Sequence, residues 1–389
     1  MQYRTFGKLD FSPSALGFGA MRLPVHLTSD GKPDFKAIDH DAATAMLRRA
    51  VDGGVNYVDT AYVYHEEQSE AWLGRALGDG YRDKVRVATK MPVWKVEQPG
   101  DFDRLLDEQL QRLRLERIDF YLLHSLDEKH WAQVLKTGQL QAAERALADG
   151  RIGHLGFSFH DSFALFERIL DATGLWEFCQ IQLNYMDEEY QAGRRGLELA
   201  AARGLGVIVM EPLRGGMLAR NVPPPVQAAW DAAPVRRSPV EWALQWVWSL
   251  PQVSLVLSGM SAMEQVEDNL VFAGRSRPGL LGRGELAVVE RVRDLYRELT
   301  PVPCTSCRYC MPCPQGVAIP DILELYNDAH IYGDPQRQRV FYTWLDEDER
   351  ADRCTACGEC EDACPQGIAV AGWMEKAQAF LAAGPEPSS

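Results

Sequence analysis

From residue 15 to about 275, short β-branched apolar runs alternate with longer stretches whose apolar residues recur at helical spacing, the pattern of parallel βα units. Eight strands are predicted, at Ala15-Ala20, Val55-Asp59, Lys84-Lys90, Ile118-His124, His154-Ser158, Cys179-Asn184, Gly206-Glu211 and Ser254-Ser258. Helices are predicted between them, at Ala42 to Val51, Glu66 to Leu77, Phe102 to Leu113, Gln139 to Ala148, Phe163 to Leu170, Glu188 to Arg203, Pro239 to Trp248 and Ala262 to Phe272. Eight repeats over about 260 residues match an α/β (β/α)8 TIM barrel better than an open doubly wound sheet. Gly53-Gly54 and Asp149-Gly150 sit where helix ends hand over to strands, as C-caps do. Residues 1 to 14 hold a turn around Gly7 to Asp10 suited to capping the closed barrel end. The Pro- and Gly-rich segment Pro212 to Pro234 reads as a loop over the barrel mouth. Trp242, Trp246, Trp248 and the lone Cys179 read as core.

Composition narrows the function classes. Hydrophobic residues make up 46% and charged residues 25% of 389 residues, which is ordinary for globular domains. No run of 18 residues is free of polar interruption, so a membrane span is not expected. The 41 Lys and Arg against 55 Asp and Glu give a formal charge of −14, which disfavours nucleic acid and anionic lipid as partners. The N-terminus lacks a basic stretch followed by an apolar run, and a cytoplasmic protein is expected.

Eight of nine cysteines crowd between Cys304 and Cys364, unlike a disulfide framework. Cys304, Cys307, Cys310 and Cys313 form C-x2-C-x2-C-x2-C-P, and Cys354, Cys357, Cys360 and Cys364 form C-x2-C-x2-C-x3-C-P. Such a triplet wraps one 4Fe-4S cluster while the fourth cysteine ligates the other cluster of a pair. One cluster is therefore assigned to Cys304, Cys307, Cys310 and Cys364, and the other to Cys354, Cys357, Cys360 and Cys313. The first motif is one residue short before its fourth cysteine. Two four-cysteine zinc sites are the structural alternative, against which the equal triplets and both Cys-Pro endings argue; a single intact cluster is another. The apolar-periodic stretch from Ile319 to Asp352 makes this region resemble helical dicluster ferredoxin domains. The expected architecture is thus a TIM barrel over 1–280, a connecting helix over 281–300, a small mainly α-helical ferredoxin-like 4Fe-4S domain over 301–383, and a disordered tail over 384–389.

In a (β/α)8 barrel reactive groups project from the C-terminal strand ends. The second predicted strand ends at Asp59 with Tyr64 following, the third at Lys90 and the fourth at His124. A neighbouring ammonium lowers a phenol's pKa, so Lys90 is expected to tune Tyr64 as a proton donor, with Asp59 holding the ammonium and His124 orienting a substrate oxygen. Singly, each has a bland reading: a turn, a solvated lysine, a satisfied structural histidine. Their arrival on three successive strand ends favours function.

Through Val58-Asp59-Thr60-Ala61-Tyr62-Val63-Tyr64, Val87-Ala88-Thr89-Lys90 and Phe120-Tyr121-Leu122-Leu123-His124 the chain resembles the aldo-keto reductases, over residues 1 to about 275. The resemblance implies nicotinamide-dependent, metal-free carbonyl reduction, with Tyr64 as general acid, Lys90 and Asp59 tuning it, and His124 positioning the carbonyl. It further implies that Ser158, Gln182 and Asn184 touch the nicotinamide amide. Leu213, Arg214 and Gly216, with Ser258, Gly259, Met260, Gln265 and Asn269, would hold pyrophosphate and adenosine, helped by backbone N–H groups at Gly259 and the next helix start. Two departures stand out. The usual Ser-Asn pair is Ser158-Phe159, and Met210 occupies the place of the aromatic that stacks on the nicotinamide. Met260-Ser261-Ala262-Met263 replaces the basic residue that meets the 2′-phosphate, leaving NADP and NAD both open.

The combined reading is an oxidoreductase interconverting a small carbonyl and alcohol, with two clusters coupled or appended. The alternative is an electron-transfer protein whose barrel binds a flavin or docks a redox partner protein. Hydride moves two electrons and a cluster one, so direct exchange needs a species such as flavin. A third reading makes the clusters structural staples.

Overall fold

The computed structural model describes residues 1–383 except 30, 32, 99 and 305–307; the 384–389 tail and Cys307 lie outside the described residues. Eight parallel strands close into a barrel: β1 (Leu16–Gly19), β2 (Tyr57–Asp59), β3 (Arg86–Met91), β4 (Ile118–Leu126), β5 (Ile152–Phe159), β6 (Phe178–Gln182), β7 (Gly206–Met210) and β8 (Leu255–Ser258). Each pairs with its chain neighbours, and β1 closes on β8 through Leu16 opposite Val256. All eight coincide with predicted strands to within two residues at either end.

The barrel floor is an apolar cluster in which Phe6 packs with Tyr57, Phe120, Phe178, Ile208 and Leu255. Phe6 comes from the N-terminal turn, which plugs the closed end as expected. Gly206 admits it, since a Cβ there would lie 2.0 Å from the Phe6 ring. Trp242, Trp246, Trp248 and Cys179 are buried. Burial pushes the Cys179 thiol well up, which makes it a structural residue.

Two elements lie outside the predicted repeats. Val25–Leu27 and Pro33–Ile38 pair as a hairpin. Glu128–Lys136 is a helix capped by Asp127, which accepts from His130 N–H.

By packing, the chain divides into two compact units, Met1–Gly215 with Ser238–Leu286, and Gly216–Arg237 with the described part of Ala287–Ser389. Most of the segment read as a mouth loop thus packs with the second unit. It contains a helix, Pro224–Asp231, opened by proline, and Asn221 Nδ2 donates to Tyr332 O at 3.4 Å. The second unit is helical, with Ile319–Ile331, Pro335–Thr343 and Val370–Leu381 around a core of Ile322, Leu323, Tyr342, Val370 and Met374. Two of these helices follow a repeated segment, Cys313-Pro-Gln-Gly-Val-Ala and Cys364-Pro-Gln-Gly-Ile-Ala. In each copy the glycine N–H donates to the cysteine carbonyl, at 2.9 and 3.1 Å, and the glycine has positive φ. Among the described residues, no helix is long and apolar enough to cross a membrane.

Candidate active site

Strand alternation turns Asp59, Lys90 and His124 toward the barrel interior at its C-terminal end. Lys90 Nζ donates to Asp59 Oδ1 at 2.6 Å, to Thr60 O at 2.7 Å and to Tyr64 OH at 3.2 Å. All three ammonium protons are thereby used, and the Lys90 and Asp59 side chains are 1% and 4% exposed. Burial disfavours the ammonium, but Asp59 and Tyr64 outweigh it and hold the Lys90 pKa above its ordinary value. Lys90→Met leaves the Asp59 carboxylate buried without its cation. The expected loss is about 3–5 kcal/mol, read from urea unfolding of the full chain.

Tyr64 stands on an unusual backbone. His65, Glu66 and Glu67 follow it at φ of 52°, 49° and 68°, a left-handed run that costs energy for residues other than glycine. Neighbours hold it: His65 Nε2 accepts from Leu23 N–H at 3.1 Å, and its Nδ1 faces Phe35 O at 2.9 Å. Glu67 pairs with Lys95 and Arg112. The sequence led us to expect a phenol lowered by Lys90. Burial instead pushes the Tyr64 phenol up, the Lys90 ammonium pulling only partway back. The phenol rests protonated.

His124 lies edge-on to Tyr64 with ring centroids 6.0 Å apart. Burial first, then Lys90, holds its imidazole well below the ordinary range, so it is neutral at pH 7. Its buried Nδ1 has no partner among the described residues. Ser125 at φ 55° breaks the β4 register just beyond it, and Ser125 N–H donates to Ser158 Oγ at 2.7 Å. Trp94 lies between His124 and His130, 5.3 Å from each ring. Sequence reasoning passed over Trp94, although a large aromatic four residues beyond a strand-end lysine is a signal.

The residues that the resemblance assigns to the nucleotide are strongly engaged with one another. Asn184 Oδ1 accepts from Met186 and Asp187 N–H, both at 3.0 Å, while its Nδ2 donates to Asp187 Oδ2 and Glu211 O. The same Asp187 oxygen takes Gln182 Nε2 at 3.3 Å and lies 3.4 Å from Arg214 Nε. Asp187 was not foreseen; the Asn-x-x-Asp spacing was its only trace. Gln180 Nε2 contacts Met210 Sδ at 3.4 Å. Asn269 Nδ2 donates to Ser258 Oγ at 3.0 Å and Ser261 N–H to Gln265 Oε1 at 2.8 Å, so the Ser258-Gly259-Met260 loop is tied to the helix Met263–Arg275. That helix begins without a side-chain cap, leaving first-turn N–H groups for an anion. Those uncapped N–H groups are the chemistry that a nucleotide phosphate would use. Gly216 has φ 91°.

In the second unit Cys304, Cys310 and Cys364 line one cavity, together with Arg308, Ile319, Pro320 and Leu323. Three cysteines from the two motifs around apolar walls fit a cluster. Cys313, Cys354 and Cys360 pack on the same core. The Cys360 thiol is pushed up to about 11, by burial first and then by nearby Cys354, Glu361 and Cys357. Among the described residues no three ligating side chains already converge as a metal shell.

Comparison with known proteins agrees with this geometry. The model of the Aldo/keto reductase family matches residues 15–273, and that of the 4Fe-4S dicluster domain matches residues 303–369. An L-galactose dehydrogenase of Arabidopsis thaliana is 26% identical over 325 residues, 77% of this chain and 97% of its own. The human aflatoxin B1 aldehyde reductase member 2 is 28% identical over 290 residues, 60% of this chain and 78% of its own. An aldo-keto reductase from Klebsiella pneumoniae, solved with NADPH, has the same fold, with a TM-score of 0.59 at 23% identity over 75% of this chain and 96% of its own. This chain belongs to the aldo/keto reductase family, as an oxidoreductase whose barrel is followed by a 4Fe-4S dicluster domain.

Proposed function

We propose that the barrel interconverts a small carbonyl compound and its alcohol, with NADP or NAD as partner and Tyr64 as the proton donor in reduction. The observation that carries this is one buried ammonium, Lys90, bonded at once to Asp59 and to Tyr64 OH. In reduction a bound nicotinamide supplies the hydride. Tyr64 OH gives its proton to the carbonyl oxygen, Lys90 stabilises the phenolate left behind, and Asp59 holds Lys90 charged and in place. Neutral His124 hydrogen-bonds the same oxygen and fixes its direction. Ser158 and Gln182 would hold the carboxamide, and Asn184 would shape that wall through its turn. Leu213, Arg214, Gly216 and the loop from Ser258 to Met260, braced by Gln265 and Asn269, would hold the phosphates.

The named relatives act on a sugar and on an aldehyde, so the substrate class stays at the carbonyl/alcohol pair. The Klebsiella protein's NADPH makes that nucleotide the first to test. The C-terminal unit is proposed to hold two 4Fe-4S clusters, on Cys304, Cys307, Cys310 and Cys364 and on Cys354, Cys357, Cys360 and Cys313, which suits a reducing, cytoplasmic setting.

The dicluster match favours one second reading, an electron-transfer protein whose barrel mouth would hold a flavin, a group able to pass the two electrons of one hydride singly to the clusters and a redox partner. Anaerobic incubation with NADPH and electron paramagnetic resonance decides between them. Carbonyl reduction predicts silent clusters that dithionite still reduces, and NADPH consumed one for one with added aldehyde. Reduced-cluster signals from NADPH alone, with flavin in the protein, would overturn it in favour of the second reading.

A further inference from the structure

Lys90 faces the barrel interior, and the alternation of β3 therefore turns Thr89 outward, toward the helices. There a small polar network is sealed from solvent: Glu70, Thr89 and Gln109 are each 0% exposed. Thr89 Oγ1 donates to Glu70 Oε1 at 2.6 Å. Gln109 Nε2 donates to the same oxygen at 2.6 Å and to the backbone carbonyl of Lys90 at 3.0 Å. Gln109 Oε1 accepts from Tyr121 OH at 2.6 Å, and Arg112 Nη1 lies 3.5 Å from Glu70 Oε2. Gln109 can face only one way, because a flipped amide would set its oxygen against a carboxylate and a carbonyl.

The elements joined are those that bear the proton-transfer pair. Glu70 lies in the first turn of the helix Ser69–Ala76, six residues after Tyr64, and Thr89 precedes Lys90. We propose that Glu70 is a positioning residue that sets the spacing of Tyr64 and Lys90, an inference that rests on Tyr64 being the proton donor. The spacing is sensitive. At 3.2 Å the Lys90–Tyr64 bond is at the long end of the useful range, so a small retreat of the Ser69–Ala76 helix breaks it. Packing alone does not explain a carboxylate here, since an apolar side chain would fill the site without the cost of desolvating a charge.

The test uses the full chain with NADPH and 4-nitrobenzaldehyde as the probe. Glu70→Ala is expected to lower kcat about 10- to 100-fold with the nucleotide Kd unchanged. It also moves the alkaline limb of kcat upward in pH, because a Tyr64 phenolate without its ammonium forms less readily. Glu70→Gln keeps an oxygen for Thr89 and Gln109 and restores most of the rate. A folded Glu70→Ala with wild-type kcat and limb overturns the inference, as does a slower variant whose limb is unmoved. If Glu70→Ala does not fold by circular dichroism, Thr89→Val, which removes one donor at constant volume, decides on the same two readouts. Tyr64→Phe run in parallel separates the failures. Retained turnover there sinks the reading of Tyr64, whereas abolished turnover beside a silent Glu70→Ala sinks only the role of Glu70.

Discussion

Tyr64→Phe lowers aldehyde reduction by about 10²- to 10⁴-fold, the contribution of a positioned general acid, while nucleotide affinity and the unfolding midpoint stay near wild type. The variant removes one oxygen and keeps the ring that lies against His124. Lys90 loses one acceptor at 3.2 Å but keeps Asp59 and Thr60 O, so no charge is stranded, in contrast to Lys90→Met. The pH dependence of the wild type follows from two shifts of opposite sign. Tyr64 is raised by burial, and reduction needs its proton, so the rate is lost only as pH climbs through that raised value. His124 is lowered by burial, so it gains a proton only well below the ordinary histidine range. Between them the reduction rate is flat across about pH 7 to 9. A variant that still reduces aldehyde at the wild-type rate, or a wild-type profile bending near neutrality, contradicts these roles.

The eight strands were legible because most are short apolar runs bounded by a glycine or a polar turn, and the strand ends that carry Asp59, Lys90 and His124 followed from their register. Contacts made from afar were not legible. The helix after Tyr64 begins at Ser69 rather than Glu66 because His65, Glu66 and Glu67 take left-handed backbone, a choice no local propensity makes; His65 is fixed by Leu23 and Phe35. The helix Glu128–Lys136, outside the eight predicted repeats, did carry its signals, an Asp127 cap with apolar Trp131 and Val134 three apart. For Tyr64 the sequence named the cation that lowers a phenol but not the burial that raises it more. Glu70 and Gln109 were invisible for a related reason, since they meet each other from two different helices, 39 residues apart, and meet Thr89 on the outer face of β3 at 19 and 20 residues. The cysteine spacings were legible in full, yet the repeated Pro-Gln-Gly that turns each chain away from its fourth cysteine showed its role only as paired turns.

Cys364→Ser removes the cluster built on the first cysteine triplet, although Cys364 closes the second motif. The cavity that Cys364 lines is shared with Cys304 and Cys310, both of the first triplet. Crossed ligation of this kind is how paired clusters share two motifs. Iron falls from about eight to about four per chain, and one of two reduced-cluster resonances disappears. The single variant cannot say which cluster was lost, but pairs of variants can. If Cys304 and Cys364 hold the same cluster, adding Cys304→Ser to Cys364→Ser costs nothing more and iron stays at about four. Adding Cys357→Ser strikes the other cluster and takes iron toward zero. Uncrossed ligation inverts both results, and zinc sites would show about two zinc and no iron in the wild type. The loss also reaches the fold. Ile319, Ile322, Leu323 and Val370 belong to the core that these cysteines pack against, and removing a cluster from its wall leaves unfilled volume that the surrounding helices close only in part. The second unit therefore unfolds at lower temperature in Cys364→Ser, and the midpoint of the barrel, whose floor is sealed by its own Phe6 cluster, does not move.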